Sequence, residues 1–191
     1  MPSIKGTKTE KNVLLSFAGE SQARNRYTYF ASQAKKEGYE QIAAAFLETA
    51  DQEKEHAKLF FSLLQGGEVE IAAAFPAGVI GNTAANLKAA ADGEKMENTR
   101  IYPEFAGIAE KEGLAEVADL FNDVTVAEKG HEARYRAFLA NVTAGKVFRR
   151  DKPVRWRCRN CGYMHEGNEA PEACPACAHP RAFFELFVET Y

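Results

Sequence analysis

Glu53-Lys54-Glu55-His56 and Glu128-Lys129-Gly130-His131 lie 75 residues apart, and each interrupts an apolar helical stripe: Phe46, Ala50, Ala57, Phe60 and Leu64 around the first, Val117, Phe121, Val124, Tyr135 and Phe138 around the second. One such Glu-x-x-His pair is ordinarily a solvated face, because charged helical residues are mostly exposed. Two copies set into apolar stripes are different, and the correspondence extends outward. Gly19-Glu20 recurs as Gly93-Glu94 at an offset of 74, and Tyr27, Phe30, Ala34, Lys36, Glu37, Gly38 and Phe46 recur at 75 as Tyr102, Phe105, Ala109, Lys111, Glu112, Gly113 and Phe121. An internal repeat settles architecture before propensity is consulted.

In each repeat, apolar residues at 3.6-type spacing flank a Glu-Gly stop, Glu37-Gly38 or Glu112-Gly113, which reads as a helical hairpin. The four helices are predicted at 9–37, 39–65, 83–112 and 114–145, with Gly66-Gly67 closing the second and Gly145 the fourth. The stretch from Gly66 to Asn82, at about 3.3 Å per residue, can run the ~40 Å length of a helix. The expected fold is an all-α ferritin-like four-helix bundle, two hairpins joined by a long crossover. Between Glu94 and Tyr102 eight positions do what seven do between Glu20 and Tyr27. Seven residues return a helix to nearly the same face and eight do not, so a π-bulge is predicted in the third helix, with Pro103 removing a backbone donor nearby.

Every helix breaks its stripe with ligand-type residues. Glu20 lies among Val13, Phe17, Tyr27, Phe30 and Ala34, and Glu94 and Glu97 lie among Leu87, Ala90, Ile101, Phe105 and Ile108. Counted from the hairpin turns, Glu20, Glu53, His56, Glu94, Glu97, Glu128 and His131 all fall at one level of the bundle. Five buried carboxylates repel one another unless positive charge lies among them, and two divalent cations supply it. This is the di-iron carboxylate pattern; the mixed carboxylate and imidazole set suits iron or manganese better than zinc, although spacing alone does not select the metal.

The last part of the chain is organised differently. Cys158-Arg-Asn-Cys161 and Cys174-Pro-Ala-Cys177 are two Cys-x-x-Cys knuckles with 12 residues between them, a tetrahedral thiolate signal that fits a zinc ribbon as well as iron. Trp156, Tyr163, Phe183, Phe184 and Phe187 can wall a redox site or form a minimal core. His165 and His179 are left out of the site, because four thiolates complete a tetrahedron. The basic run Arg149 to Arg159 reads as a linker that docks on an acidic bundle: residues 1–145 hold 16 basic and 21 acidic groups, and 146–191 hold 8 and 6. The expected division is a bundle at 1–146, a linker at 147–152 and a small metal domain of strands and loops at 153–191.

The 191-residue chain is 46% hydrophobic, enough for one such core and a metal-stapled appendage. Its net charge of −3 argues against a general nucleic-acid binder. The longest apolar stretch, Ile71 to Ile80, is broken by Pro76 and too short to span a bilayer, and no signal sequence opens the chain. Cysteines confined to the tail need no oxidising compartment, and a cytoplasmic location is expected.

With Glu20, Glu53-x-x-His56, Glu94-x-x-Glu97, Glu128-x-x-His131 and the knuckles in that order, the chain resembles the rubrerythrin family over essentially its whole length. The resemblance implies a di-iron site plus a rubredoxin-like Fe(Cys)4 centre, with zinc possible there in recombinant protein. It implies a peroxidase reducing hydrogen peroxide to water in oxidative-stress defence, supplied by a rubredoxin or an NAD(P)H-dependent reductase. A homodimer or larger homo-oligomer is implied, one subunit's small domain lying near the other's di-iron site. By position, Glu53 and Glu128 are similar to bridging carboxylates, Glu20 and Glu94 to terminal ligands, and His131 to one iron's imidazole. Glu97 and His56 resemble alternates between which one iron moves with oxidation state, and Tyr27 and Tyr102 resemble tyrosines that hydrogen-bond the ligand carboxylates. Ala178 departs from the glycine usual after the second knuckle of free-standing rubredoxins. The rival expectation from the same bundle is a ferroxidase or iron-binding ferritin-like protein.

Overall fold

Helix α1 spans Lys8–Lys36, α2 Glu40–Leu63, α3 Thr83–Met96, α4 Tyr102–Lys111 and α5 Ala115–Thr143 in the computed structural model, which describes residues 2–190. The outer bounds of the two expected domains, Met1 and Tyr191, lie outside the described residues. α1 packs along α2, and α3 with α4 packs along α5. Each hairpin turn is a Schellman motif. Gly38 (φ +82°) and Gly113 (φ +76°) take the left-handed conformation that costs glycine little, and Tyr39 N–H and Leu114 N–H reach back to the carbonyls of Ala34 and Ala109.

The glutamates preceding those glycines have a second task. Glu37 accepts hydrogen bonds from Thr83 N–H at the start of α3, and Glu112 accepts from Lys8 N–H and Thr9 N–H at the start of α1. Each hairpin turn thus satisfies orphan donors at the first turn of the other hairpin, where the helix dipole also favours a carboxylate. Desolvation raises both carboxyls, but hydrogen bonds from Gln33 and Thr83 to Glu37, and from Thr9 and Lys8 to Glu112, outweigh it and leave both below their ordinary pKa.

The one-residue slip appears as expected: Glu97–Ile101 form a π-helical turn between α3 and α4, in one continuous rod. Residues 64–82 cross over without regular structure, and Phe75, Val79 and Ile80 are exposed along them. Two apolar clusters fill the bundle. One contains Phe30, Phe46, Leu87 and Tyr135, the other Val13, Phe60, Leu114 and Phe121.

The tail forms a three-stranded antiparallel sheet, β1 (Arg149–Cys158), β2 (Met164–Glu169) and β3 (Phe184–Leu186), in the order β2-β1-β3. The first residues of β1 come from the expected linker 147–152, with a register irregularity between Arg149 and Val154. The expectation that the basic run docks on the bundle holds only for its first part: Arg149 lines a cleft with Glu37 and Tyr39 of the bundle, whereas Arg157 and Arg159 pair with the buried Glu185 of β3, and Arg155 with Glu189. The contact with the bundle includes an aromatic pair, Phe148 stacked on Tyr39 with 6.1 Å between ring centroids, and α2 also packs on residues 181–186. Trp156, Phe184, Phe183 and Tyr163 pack around the cysteines, whereas Phe187 lies under the Arg155 guanidinium.

Candidate metal centres

The helices bring six of the seven predicted ligands into two overlapping groups, each with ligand atoms within 4.8 Å of one another: Glu20, Glu53, His56 and Glu128, and Glu53, Glu94, Glu128 and His131. Glu53 and Glu128 belong to both and are placed to span two ions. Glu20, Glu53 and Glu94 are 1% exposed and Glu128 is 0% exposed. Glu97, at the start of the π turn, is half-buried and in neither group.

Whether these residues fit metal ions is decided by what they lack. Glu53 Oε1, Glu94 Oε2 and Glu128 Oε1 are buried without a hydrogen-bond partner, an arrangement that costs several kcal/mol unless a cation meets it. His131 Nδ1 lies 2.7 Å from Glu128 Oε2, 3.2 Å from Glu53 Oε1 and 3.4 Å from Glu94 Oε2. His56 Nδ1 lies 3.0 Å from both Glu53 Oε2 and Glu128 Oε1. One N–H cannot serve two or three carboxylates, but an ion between them can. The residues fit a pair of cations.

The titration behaviour reflects the same crowding. Burial raises Glu20 and Glu94 well above the carboxylate range. Burial also lifts Glu97, and with the charges of Glu128 and Glu53 takes it to about 8. Burial alone would lower the histidines, but the adjoining carboxylates of Glu128 and Glu53 hold His56 up to about 9, and those of Glu128, Glu53 and Glu94 hold His131 up to about 12. Glu128 is pulled down to about 2 by His131 and His56 despite its burial. Without metal, protons supply the positive charge the site requires.

Tyr27 Oη donates to Glu94 Oε1 and Tyr102 Oη to Glu20 Oε1, so each hairpin's tyrosine holds a buried carboxylate of the other. Sequence reading missed Gln52, whose Oε1 lies 3.0 Å from His131 Nε2. Accepting from Nε2–H fixes the tautomer that leaves the Nδ1 lone pair free for a metal. The repeat could not reveal it, because the position 75 residues on is Ala127. Arg134 also escaped notice; it donates to Thr49 Oγ1 at 2.5 Å and pairs with Glu48 at 2.9 Å.

Two openings approach the centre. A cavity of about 460 Å³ on the α2–α5 side is lined by Gln52, His56, Ala127, Gly130, His131 and Arg134. On the α1–α3 side a cavity of about 390 Å³ lies beneath residues 73–76 of the crossover and is floored by Glu97 and Tyr102.

In the tail the four thiols are free, with Cys158 Sγ 3.8 Å from Cys177 Sγ and Cys161 Sγ 3.6 Å from Cys174 Sγ. The knuckles match: Gly162 N–H bonds to the Cys158 carbonyl and Ala178 N–H to the Cys174 carbonyl, with φ of +79° and +59°. The His179 N–H draws Cys177 down to about 6. Tyr163 N–H favours the Cys161 thiolate, but its sulfur neighbours, Cys177 first, hold it up to about 12. Four such sulfurs ionise together only around a cation.

The sequence model of the rubrerythrin family matches residues 11–139, and that of the rubrerythrin rubredoxin-like domain matches 156–185. The chain belongs to the rubrerythrin family. It is 60% identical over 189 residues to a rubrerythrin of Porphyromonas gingivalis, covering 99% of this chain and 94% of that one. It is 60% identical over 186 residues to a rubrerythrin of Nitratidesulfovibrio vulgaris, covering 97% of each. Fully reduced, all-ferrous nigerythrin superposes with a TM-score of 0.63 at 32% identity, over 96% of this chain and 91% of that one. Dithionite-reduced symerythrin from Cyanophora paradoxa, at 23% identity and TM-score 0.64 over 75% of this chain and 89% of that one, shares the fold. As a member of that family the chain carries a carboxylate–histidine di-iron site in its ferritin-like bundle and a four-cysteine rubredoxin-like site in its tail. No helix among the described residues is long and apolar enough to cross a membrane.

Proposed function

We propose that this protein is a di-iron peroxidase that reduces hydrogen peroxide to water in oxidative-stress defence, with electrons delivered through the four-cysteine centre. What carries the reading is the pairing, in one chain, of a buried site for two ions with a thiolate site whose Cys161 is exposed. The first suits chemistry on a small oxidant and the second suits exchange of single electrons with a partner. In this reading the units are the bundle at 1–146 and the metal domain at 153–191. The protein works in the cytoplasm as a homodimer or larger homo-oligomer, with a rubredoxin or an NAD(P)H-dependent reductase as electron donor.

Glu53 and Glu128, which belong to both groups, would hold both ions, Glu20 and Glu94 would each hold one, and His131 would complete one side. His56 and Glu97 are the alternates on the other side: His56 stands within 3.0 Å of Glu53 and Glu128, while Glu97 stands apart. When bound, the iron pair supplies Lewis acidity and one electron from each metal, which reduction of an O–O bond requires. The chain's own residues do the rest. Tyr27 and Tyr102 orient Glu94 and Glu20, Gln52 sets the His131 tautomer, and the two apolar clusters exclude water above and below the site. Glu97, beside the α1–α3 opening and in neither ligand group, is placed to pass a proton toward oxygen leaving as water.

Cys161→Ser tests the division of labour. Sustained turnover with peroxide and an external donor should be lost, while one turnover by pre-reduced protein survives. Undiminished steady-state activity would exclude the role given to the tail, and a 24-subunit shell in light scattering would favour iron storage.

A further inference from the structure

We infer that the α1–α3 cavity is a binding site for organic hydroperoxides, so that the substrate range extends beyond hydrogen peroxide to hydroperoxides with a compact apolar tail. The inference rests on the di-iron peroxidase reading and specifies its substrate class. Hydrogen peroxide has two heavy atoms and fills roughly twice the ~30 Å³ share of a water molecule in the liquid. The cavity, about 390 Å³, is several times larger and falls in the range of pockets for small organic ligands.

Its lining offers both kinds of surface that such a molecule needs. Glu97 and Tyr102 bring it next to the ligand carboxylates, and Arg26, Gln22, Arg100 and Glu104 add polar groups. Leu15, Ala73, Phe75, Pro76, Ile101 and Phe105 supply apolar wall. Gly19 keeps the space open: the nearest atom to a Cβ built there is Phe75 Cε1 at 4.0 Å. Arg26 lines the cavity, makes no ion pair among the described residues, and holds its guanidinium 5.8 Å from the centre of the Tyr27 ring. It is a donor available to a hydroperoxide oxygen. The α2–α5 opening, lined by Gln52, His56, His131 and Arg134, is polar and offers a separate way in for water and hydrogen peroxide.

The reaction keeps the balance of the simpler one. The O–O bond breaks, two electrons from the reduced iron pair and two protons are taken up, one oxygen leaves as water and the other stays on carbon as an alcohol.

The test uses cumene hydroperoxide as substrate and cumyl alcohol, its redox-inert product, as a binding probe followed by saturation-transfer NMR on the iron-loaded full chain. Wild type should bind the alcohol and reduce the hydroperoxide. Gly19→Leu places an isobutyl group in the cavity. It should abolish alcohol binding and lower kcat/KM for cumene hydroperoxide at least tenfold, while kcat/KM for hydrogen peroxide changes less than twofold. Ala73→Leu, on the crossover and away from the ligands, should act in the same direction if Gly19→Leu proves to lower iron content. Reduction of hydrogen peroxide without alcohol binding by the wild type overturns the cavity assignment alone. So does an equal loss for both substrates in iron-replete variants. Failure to reduce either peroxide overturns the peroxidase reading itself.

Discussion

Removing the metals and raising the pH should weaken the bundle, with a sign opposite to that of a protein stabilised by ionised carboxylates. Glu97, ordinarily at 4.5, is held at about 8 by burial and by the charges of Glu128 and Glu53. Below pH 4.5 it is protonated folded and unfolded, and stability is unaffected. Between 4.5 and 8 only the unfolded chain releases the proton, so stability falls until the folded carboxyl also ionises. At 1.36 kcal/mol per pH unit the full difference is about 5 kcal/mol, which partial exposure of Glu97 reduces to roughly 2–3 kcal/mol. Glu20 and Glu94 act in the same direction. His56 and His131, held up to about 9 and about 12, add stability that is complete below 6.5 and lost above it. Glu128, held at about 2, works only at the acid end, where its contribution is lost as pH falls from 4.5 toward 2. The metal-free protein should therefore be most stable near pH 4.5–6 and lose roughly 5–10 °C of Tm by pH 8. Iron competes with those protons for the same atoms, so its stabilisation should grow over the same interval. Far-UV circular dichroism melts of metal-free and iron-loaded protein across this window measure both trends. A metal-free Tm that stays level or rises from pH 4.5 to 8 would refute the reasoning.

Gln52→Leu removes the acceptor for His131 Nε2–H and should weaken iron binding in the bundle by about 10–100-fold, measured by chelator competition, with the fold retained. An unchanged affinity would mean that Gln52 does not set the tautomer. Ala178→Gly relieves a non-glycine residue at φ +59° and should stabilise the tail by about 0.5–1 kcal/mol in denaturant titrations followed by thiolate-to-iron absorption. A loss of stability would show that the left-handed turn is not strained by alanine.

The hairpins were legible because Glu37-Gly38 and Glu112-Gly113 carry their turn chemistry locally, and the π turn because a single extra residue had to be absorbed between Glu94 and Tyr102. The convergence of Glu20, Glu53, Glu94 and Glu128 was legible because burying carboxylates is too costly to occur without purpose. Other features depend on which side chains meet across elements. Gln52 breaks the repeat that exposed its neighbours. Glu97 shares the stripe and depth of the other ligands yet stands apart from both groups, because it opens the π turn. The second half of the basic run read as a docking surface because Glu185 and Glu189, which pair with Arg155, Arg157 and Arg159, lie 26 or more residues away in sequence and meet them only across the sheet.

The most direct measurement is the metal content of protein made in iron-replete medium, by plasma mass spectrometry alongside the visible spectrum. Two irons per bundle and one in the four-cysteine site are expected, with the bundle pair lost and the tail iron kept in the double variant Glu53→Gln, Glu128→Gln. Wild-type protein that retains only the tail metal, with its bundle no less stable at pH 8 than at pH 5, would contradict the claim that these inward-facing carboxylates exist to hold two cations.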